Sequence, residues 1–292
     1  MATTAAPVET FESARRRPTP ALGPYIASYT GYRQSGGLPG RHRGLPSPYV
    51  TFIVTLDDPL VVVEPSDPRQ APGVYRSLVG GMHTTPTIIA HDGRQSGIQL
   101  ALQPLGVRAL LGVPAGELVN LDLQAGDVLG PLAAELYERV QLARDWPERF
   151  AILDALLQRR LAPERVAGPE ATGAWELLTR SRGQLSVADL ADELGWSERH
   201  LGQRFGAEFG LSPKVTARVM RFDRARRLLQ RRVAAATSLR LTDLALECGY
   251  YDHAHLTREF SEMAGCSPSR WVAEELRNIQ AVPDDEPADS TL

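Results

Sequence analysis

Apolar positions along the chain follow two different periods. Between residues 20 and about 104, short β-prone runs separated by turn signals predict strands at 49–56, 60–63, 77–80, 87–90 and 98–102. Helices are predicted at 105–111, 131–144 and 147–161, and almost continuously from 175 to about 280. The pattern predicts an α+β N-terminal domain followed by an all-α C-terminal domain.

Composition divides the chain further. Residues 1–18 are small, polar and arginine-bearing and predict a disordered tail, and residues 281–292 predict a loose acidic tail. Residues 19–165 make up the predicted α+β regulatory or dimerisation domain, and residues 174–280 make up the helical domain. Between them, residues 166–173 contain Gly168, Pro169 and Gly173 and predict a linker.

The helical region contains an internal repeat. The first copy is marked by Asp189-Leu190-Ala191, Gly195, Leu201, Phe205, Gly210 and Ser212-Pro213. The second copy has the same features in the same order at Asp243-Leu244-Ala245, Gly249, Leu256, Phe260, Gly265 and Ser267-Pro268. The copies are offset by 54 residues up to the turn glycine and by 55 after it, so the second turn holds one extra residue.

Each copy has the pattern of a helix, a tight turn and a second helix. In the first copy, Ser186 is a predicted N-cap, Asp189 stands in the capping-box position, and Gly195 ends the helix. In the second copy Asp252 caps the second helix, but Arg240 stands in the place of Ser186, so the first helix lacks its expected cap. This arrangement predicts two helix-turn-helix units, whose second helices enter the major groove of DNA.

A basic segment connects the two copies. The net charge of the chain is −3, yet residues 214–232 contain eight basic residues against one acid, Asp223. Such clustering favours binding to a polyanion, although it is also typical of a solvated helix face. Apolar residues at helical spacing predict a linker helix about 28 Å long that packs against both units. Arg218 and Arg221 on this helix are expected to contact the DNA backbone at most.

The stretch from Asp243 to Phe260, followed by Ala264-Gly265-Cys266-Ser267-Pro268 and Trp271, resembles the second-unit signature of the AraC/XylS family of transcriptional regulators. The resemblance covers about residues 174–280. It implies a sequence-specific DNA-binding regulator that reads adjacent major grooves with two recognition helices. It also implies that the N-terminal domain senses a small molecule or mediates dimerisation.

Six side chains are predicted to contact DNA: Arg199, Gln203, Arg204, His253, Thr257 and Arg258. Arg199 and Gln203 share one helix face, and arginine can pair with guanine as glutamine can with adenine. The resemblance places the base-reading positions of the first copy at Arg199, Gly202 and Gln203, and Gly202 has no side chain to read a base. Arg204 is expected to reach the backbone, whereas Arg258 fits either a guanine or a phosphate.

Histidines and cysteines do not indicate a metal site. His253 and His255 are two positions apart on a helix and point in different directions, so they cannot share an ion. The remaining candidates lie in the N-terminal domain without regular spacing or a motif of acids: His42, His83 and His91. Cys248 and Cys266 form no Cys-x-x-Cys pair and are expected to be reduced and structural. We therefore expect no metal and no cofactor.

Catalytic motifs give no support to an enzyme. The sequence contains neither a Gly-x-Ser-x-Gly elbow nor a phosphate-binding Gly-x-x-x-x-Gly-Lys loop, and no cysteine precedes Cys248. A helical adaptor that uses the repeat for protein contacts is the other alternative, and the basic linker helix argues against it. No window approaches the roughly 18 apolar residues that span a bilayer, and residues 1–10 lack the pattern of a signal peptide. We expect a cytoplasmic protein.

Double-stranded promoter DNA is the expected partner. RNA polymerase, a small-molecule effector and a second copy of the chain are further candidate partners, and no membrane contact is expected. Ligand sensing and pure dimerisation by the N-terminal domain are both compatible with the sequence. A closed apolar pocket within residues 20–165 would favour ligand sensing.

Overall fold

The computed structural model describes residues 10–235 and 240–275. Its strands are β1 (Thr10–Arg16), β2 (Ile26–Ser35), β3 (Gly40–Gly44), β4 (Val50–Thr55), β5 (Leu60–Glu64), β6 (Gly73–Tyr75), β7 (Ser77–Gly80), β8 (Thr87–His91), β9 (Gln95–Leu102) and β10 (Asp122–Gln124). Its α-helices are α1 (Val107–Leu111), α2 (Ala125–Leu129), α3 (Pro131–Leu142), α4 (Trp146–Arg160), α5 (Pro169–Arg180), α6 (Val187–Glu193), α7 (Glu198–Phe209), α8 (Pro213–Ala234), α9 (Leu241–Glu247), α10 (His253–Ala264) and α11 (Pro268–Glu275).

The strands form two antiparallel sheets. The strand order is β1-β2-β9-β4-β7-β10 in the first sheet and β3-β8-β5-β6 in the second. One apolar cluster joins Ile53 of the first sheet to Leu60 and Ile89 of the second, so the sheets pack face to face. Because side chains alternate along a strand, Phe52 and Val54 point to the opposite face and pack in the core that includes α1–α4.

The predicted disordered tail over residues 1–18 is wrong for residues 10–16, which form β1 and pair with β2. Glu12 accepts a hydrogen bond from Trp146 Nε1 at 2.5 Å, and Arg16 donates to Asp154 at 2.6 Å. These partners lie 134 and 138 residues further along the chain, so the local composition gives no sign of them. Residues 1–9, residues 276–280 and the predicted acidic tail lie outside the described residues.

The predicted linker over 166–173 is helical from Pro169 onward. Gly168 is the N-cap of α5 and Pro169 occupies its first turn, where the missing amide hydrogen of proline costs nothing. Ala171 and Ala174 are buried, and Ala167 is buried just before the helix. The connection between the two halves of the chain is therefore packed against the protein.

The other element predictions largely agree with the structure. The five predicted strands each overlap an observed strand, and the predicted helices agree to within about two residues at their ends. The fold class, an α+β domain followed by a helical domain, is confirmed. The strands that the sequence did not predict are β1, β2, β3, β6 and β10.

Two apolar cores stabilise the helical region. We call α6 and α7 the first unit, α9 and α10 the second unit, and α8 the joining helix. The core of the first unit, with Leu201 and Phe205, is continuous with the core beneath the first sheet. The second unit has a separate core around Leu256 and Phe260, which Leu45 from the N-terminal domain enters.

Candidate nucleic-acid interface

The first unit folds as its sequence pattern predicts. Ser186 Oγ accepts a hydrogen bond from Asp189 N at 3.1 Å, and the two side chains are also hydrogen-bonded at 2.6 Å. Ser197 caps α7 by accepting from His200 N at 3.3 Å. The helix ends sharply at Gly210, where φ is +73°. These caps and turns fix where α7 begins and ends and the direction of its axis.

The second unit repeats this framework with one cap missing. Asp252 accepts a hydrogen bond from His255 N at 2.7 Å and caps α10. Arg240, at the start of α9, makes no side-chain capping bond. Cys248 is buried where α9 ends, and burial raises the pKa of its thiol to about 11. The thiol is thus neutral near pH 7, which fits a packing role.

Helix α7 has an apolar face and a polar face. Leu201 and Phe205 are fully buried, and Trp175 of α5 stacks on Phe205 with a ring separation of 6.1 Å. Arg199 and Gln203 lie exposed on the side away from this core. Both therefore remain available to a partner, as a base-reading role requires.

Arg204 is also exposed, but it pairs with Glu170 of α5 at 3.0 Å. Ion pairs between exposed side chains contribute little, so this pair costs little to exchange for a phosphate. The predicted contact of Arg204 with the DNA backbone thus requires only that its side chain move away from Glu170.

Helix α10 has the same two faces. Leu256 and Phe260 are buried, whereas His253 and Arg258 are exposed. Thr257 is half-buried, and its hydroxyl donates to the His253 carbonyl at 2.8 Å. The six side chains predicted to contact DNA thus lie on two helices that each have one buried and one exposed face. Five of the six are exposed.

The arginines of the joining helix form internal ion pairs that the sequence analysis did not identify. Arg218 and Arg221 bond to Glu259 at 2.8 and 3.4 Å, and Arg226 and Arg227 pair with Asp223. Many of the basic residues in this segment therefore form ion pairs within the protein.

Part of this set of ion pairs could have been predicted from the sequence. Asp223 lies three and four residues before Arg226 and Arg227, and residues at these spacings are neighbours on a helix. Burial opposes ionisation of Asp223, but these two arginines hold the pKa of its carboxyl below the usual range. Its pairing with Arg226 and Arg227 thus keeps a buried charge on the joining helix.

The N-terminal domain contacts both units. Arg108 at the start of α1 donates from Nε to both carboxylate oxygens of Glu208 on α7, at 2.8 and 2.9 Å. The backbone of Gly116 lies directly against Gly210. On the second unit's side, Arg43 of β3 pairs with Glu274 of α11 at 2.9 Å. The N-terminal domain therefore contacts the first recognition helix directly and, on the other side, the helix α11 that follows the second recognition helix.

A cavity of about 150 Å³ lies between the two sheets. Its walls are partly polar, with Thr51, Gln99 and Asp122, and partly apolar, with Ile53 and Leu60. Three side chains of the joining helix complete the lining: Arg226, Arg227 and Gln230. The cavity therefore has a mixed lining, unlike the apolar pocket considered from the sequence. The joining helix contributes part of that lining.

Asp122 is the most unusual group in this cavity. Its residue is only 8% exposed, and burial raises the pKa of its carboxyl to about 6. Among the described residues, Oδ2 has no hydrogen-bond partner. This oxygen can therefore accept a hydrogen bond from a water or another donor in the cavity.

The histidines of the N-terminal domain are separated. The rings of His42 and His91 lie 5.9 Å apart, while His83 contacts the carbonyl of Thr85. Across the described ranges, no three histidine, cysteine or acidic side chains are grouped as metal ligands would be. Nor does any helix in these ranges have the length and apolarity to cross a membrane.

Comparisons with known proteins agree with this description. The family described as "Helix-turn-helix domain" matches residues 190–274, and a "Domain of unknown function (DUF6597)" matches residues 14–124. The HTH-type transcriptional activator RhaR of Escherichia coli is 29% identical over 174 residues, covering 57% of this chain. The chain spans 60% of the length of this curated relative.

Two solved structures extend the comparison. A crystal structure of apo ToxT from Vibrio cholerae covers 90% of this chain and 97% of its own, with 10% identity and a TM-score of 0.50. A transcriptional regulator with an AraC-type DNA-binding domain from Chromobacterium violaceum is 28% identical over 36% of this chain and 90% of its own, with a TM-score of 0.32. The likeness to ToxT supports a shared fold.

Proposed function

Because the chain belongs to the AraC/XylS family of transcriptional regulators, we propose that it recognises promoter DNA by placing α7 and α10 in two successive major grooves. The observation that carries the proposal is the pair of equivalent recognition helices joined by one uninterrupted helix. The joining helix has 22 residues, which at about 1.5 Å per residue span about 33 Å. Successive major-groove faces on one side of B-DNA lie about 34 Å apart.

Exposed side chains on both helices give each sub-site its chemistry. In this proposal Arg199 and Gln203 read bases in one groove, and Arg258 reads a base in the other. His253, Thr257 and Arg204 contact neighbouring bases or phosphates. Because Gly202 lacks a side chain, we expect the first unit to read fewer positions than its helix length would permit.

An insertion between the sub-sites tests this proposal. A binding site is first selected from random double-stranded DNA with the full chain, and its two sub-sites should lie about 10 base pairs apart. Adding about five base pairs turns one sub-site to the far side of the duplex, so specific affinity should fall to near the non-specific level. Unchanged affinity after the insertion would show that only one helix reads DNA or that the units move independently.

The same proposal gives the N-terminal domain a regulatory role without catalysis. A small molecule in the cavity between the sheets would contact the joining helix, and a donor group on it would satisfy Asp122 Oδ2. A thermal-shift screen of small molecules against the full chain should find stabilising compounds whose effect weakens in Asp122→Asn. Sedimentation with and without such compounds separates this role from pure dimerisation, which would change the mass but need no ligand.

RNA polymerase remains a candidate partner at the promoter. Regulators that act on transcription can contact the polymerase directly or can block it. Transcription of a template carrying the selected site, with purified polymerase and the full chain, would show whether occupancy raises or lowers the yield of transcript.

A further inference from the structure

A buried carboxylate lies on the inner side of the second recognition helix. Glu259 is only 7% exposed, although the neighbouring Arg258 faces outward. Its Oε1 accepts from Arg218 Nε at 2.8 Å and from Arg221 Nη2 at 3.4 Å, and it lies 3.5 Å from His255 Nε2. Buried charges of this kind are retained only with good partners, and removing a partner is costly.

Arg221 connects this carboxylate to the first unit. Its Nη1 donates at 2.9 Å to the carbonyl of Gly183, in the turn that precedes α6. Its guanidinium also lies 5.6 Å from the centre of the Tyr250 ring, which belongs to the turn of the second unit. One side chain of the joining helix thus bonds to the entrance of the first unit and to the recognition helix of the second.

The two units also contact each other directly. A Cβ atom added at Gly249 would lie 2.8 Å from Gln184 Cγ, so the turn of the second unit packs against the loop that leads into the first. A Cβ added at Gly183 would lie 2.5 Å from the Ala217 carbonyl of the joining helix. The units are therefore in close contact around Arg221, beyond being tethered through α8.

The contacts of Glu259 are not repeated in the first copy. The 55-residue offset places Glu259 at the position of Arg204 in the first copy. Arg204 is exposed and pairs with Glu170, whereas Glu259 is buried and faces the joining helix. The first copy therefore has no buried carboxylate at the position equivalent to Glu259.

We propose that Arg221 and Glu259 are positioning residues that fix the separation and angle between α7 and α10, and thereby determine which spacing of two DNA sub-sites the protein accepts. The inference rests on the proposed binding to two grooves. Apolar packing alone tolerates small rotations of one helix over another, whereas charge-assisted hydrogen bonds are directional. One base pair rotates a sub-site by about 35°, so even a modest rotation between the units matters.

A spacing series tests the inference with the full chain. The selected site is altered by insertion or deletion of one and two base pairs between the sub-sites, and affinity is measured for each by fluorescence anisotropy. We expect the unsubstituted chain to bind the optimal spacing about tenfold more tightly than spacings one base pair away. In Glu259→Gln and in Arg221→Met, this ratio should fall to about twofold.

Glu247→Gln is the matched control. Glu247 also pairs with an arginine of the joining helix, Arg232, but this pair connects α8 to α9 on the side of the second unit alone. Its spacing profile should equal that of the unsubstituted chain. Helical circular dichroism checks that each variant is folded, and Arg221→Met decides the question if Glu259→Gln unfolds.

The outcomes separate the two proposals. If the unsubstituted chain shows no preferred spacing, the proposed binding to two grooves fails. If it prefers one spacing and both variants weaken binding equally at every spacing, only the positioning role of Arg221 and Glu259 is overturned.

Discussion

The two helix-turn-helix units share one framework but are held in place in different ways. Both have a capped second helix, a glycine turn and a buried leucine-phenylalanine pair. The first unit shares the apolar core of the N-terminal domain, and Arg108 holds the end of its recognition helix through Glu208. The second unit has its own core, which receives Leu45 from the N-terminal domain, and its recognition helix is held by the joining helix.

The comparison separates the residues that the two copies of the repeat share from the residues that differ between them. The turn glycines, the caps of the recognition helices and the core residues recur because both units use them to form the same local framework. The residues that attach a unit to its surroundings lie between those repeated positions, as Glu208 and Glu259 do, and they are free to differ. Similar units can thus serve different structural roles within one chain.

The largest expected contrast lies at equivalent glycines that end the recognition helices. Gly210 and Gly265 both have positive φ, of +73° and +69°. A Cβ at Gly210 would come within 2.4 Å of Val119 Cγ2 and 2.8 Å of Gly116 Cα, whereas at Gly265 the nearest atom would be 3.4 Å away. Backbone strain alone costs about 1–2 kcal/mol, and a clash in a packed region adds about 1–3 kcal/mol.

We therefore expect Gly210→Ala to lower the free energy of unfolding by about 2–5 kcal/mol and Gly265→Ala by about 1–2 kcal/mol. Urea denaturation of both full-length variants measures the difference. Equal losses would mean that the contact between Gly116 and Gly210 adds nothing to the anchoring of the first unit.

The next contrast concerns Leu45 and Leu110, which lie in different cores. Replacing a buried leucine by alanine costs about 2–5 kcal/mol, and Leu45→Ala should be near the lower limit because Leu45 also borders the cavity. Amide hydrogen exchange should accelerate mainly in α9 and α10 for Leu45→Ala. The matched Leu110→Ala should act on the first sheet and on α5–α7, which share its core, and the same protection pattern in both variants would contradict the division into two cores.

DNA recognition should also divide between the units. Gln203 and Arg258 occupy equivalent positions at the 55-residue offset. Alanine at either should cost about 1–3 kcal/mol on the selected site and relax the preference at one base pair. Binding selections with each variant should place the lost preference in opposite sub-sites. A uniform loss on all sequences, with a smaller salt dependence, would identify the residue as a phosphate contact instead.

The smallest contrast is at the start of α6 and α9. Ser186→Ala removes a cap and should lower the free energy of unfolding by about 1 kcal/mol. Arg240→Ser supplies the cap that α9 lacks and should raise it by about 0.5–1 kcal/mol. Paired thermal melts test both changes, with Ser197→Ala as the reference for a cap on the first recognition helix. A loss of stability in Arg240→Ser would show that the arginine has a role that outweighs the cap.

Local rules explain why the helical domain was well predicted. Caps at Ser186 and Asp252 and the uncapped Arg240 could be read from a few neighbouring residues, and the structure agrees with each. β1 was missed because its partners are distant in sequence. The ion pairs of the joining helix with Glu259 were missed because Glu259 lies 38 residues or more from Arg218 and Arg221. The DNA contacts stay predictions, since exposure shows that Arg199 and Arg258 are accessible but not which base they meet.

The continuity of the first core limits how this protein can be divided and recombined. A chimera that joins its N-terminal domain to another helical domain near residue 165 would separate Leu201 and Phe205 from the core that they share with the sheets. The joining helix offers no better junction, since Met220 packs in one core and Phe222 in the other. New operator specificity is therefore better introduced by exchanging exposed side chains of α7 and α10 than by exchanging whole domains.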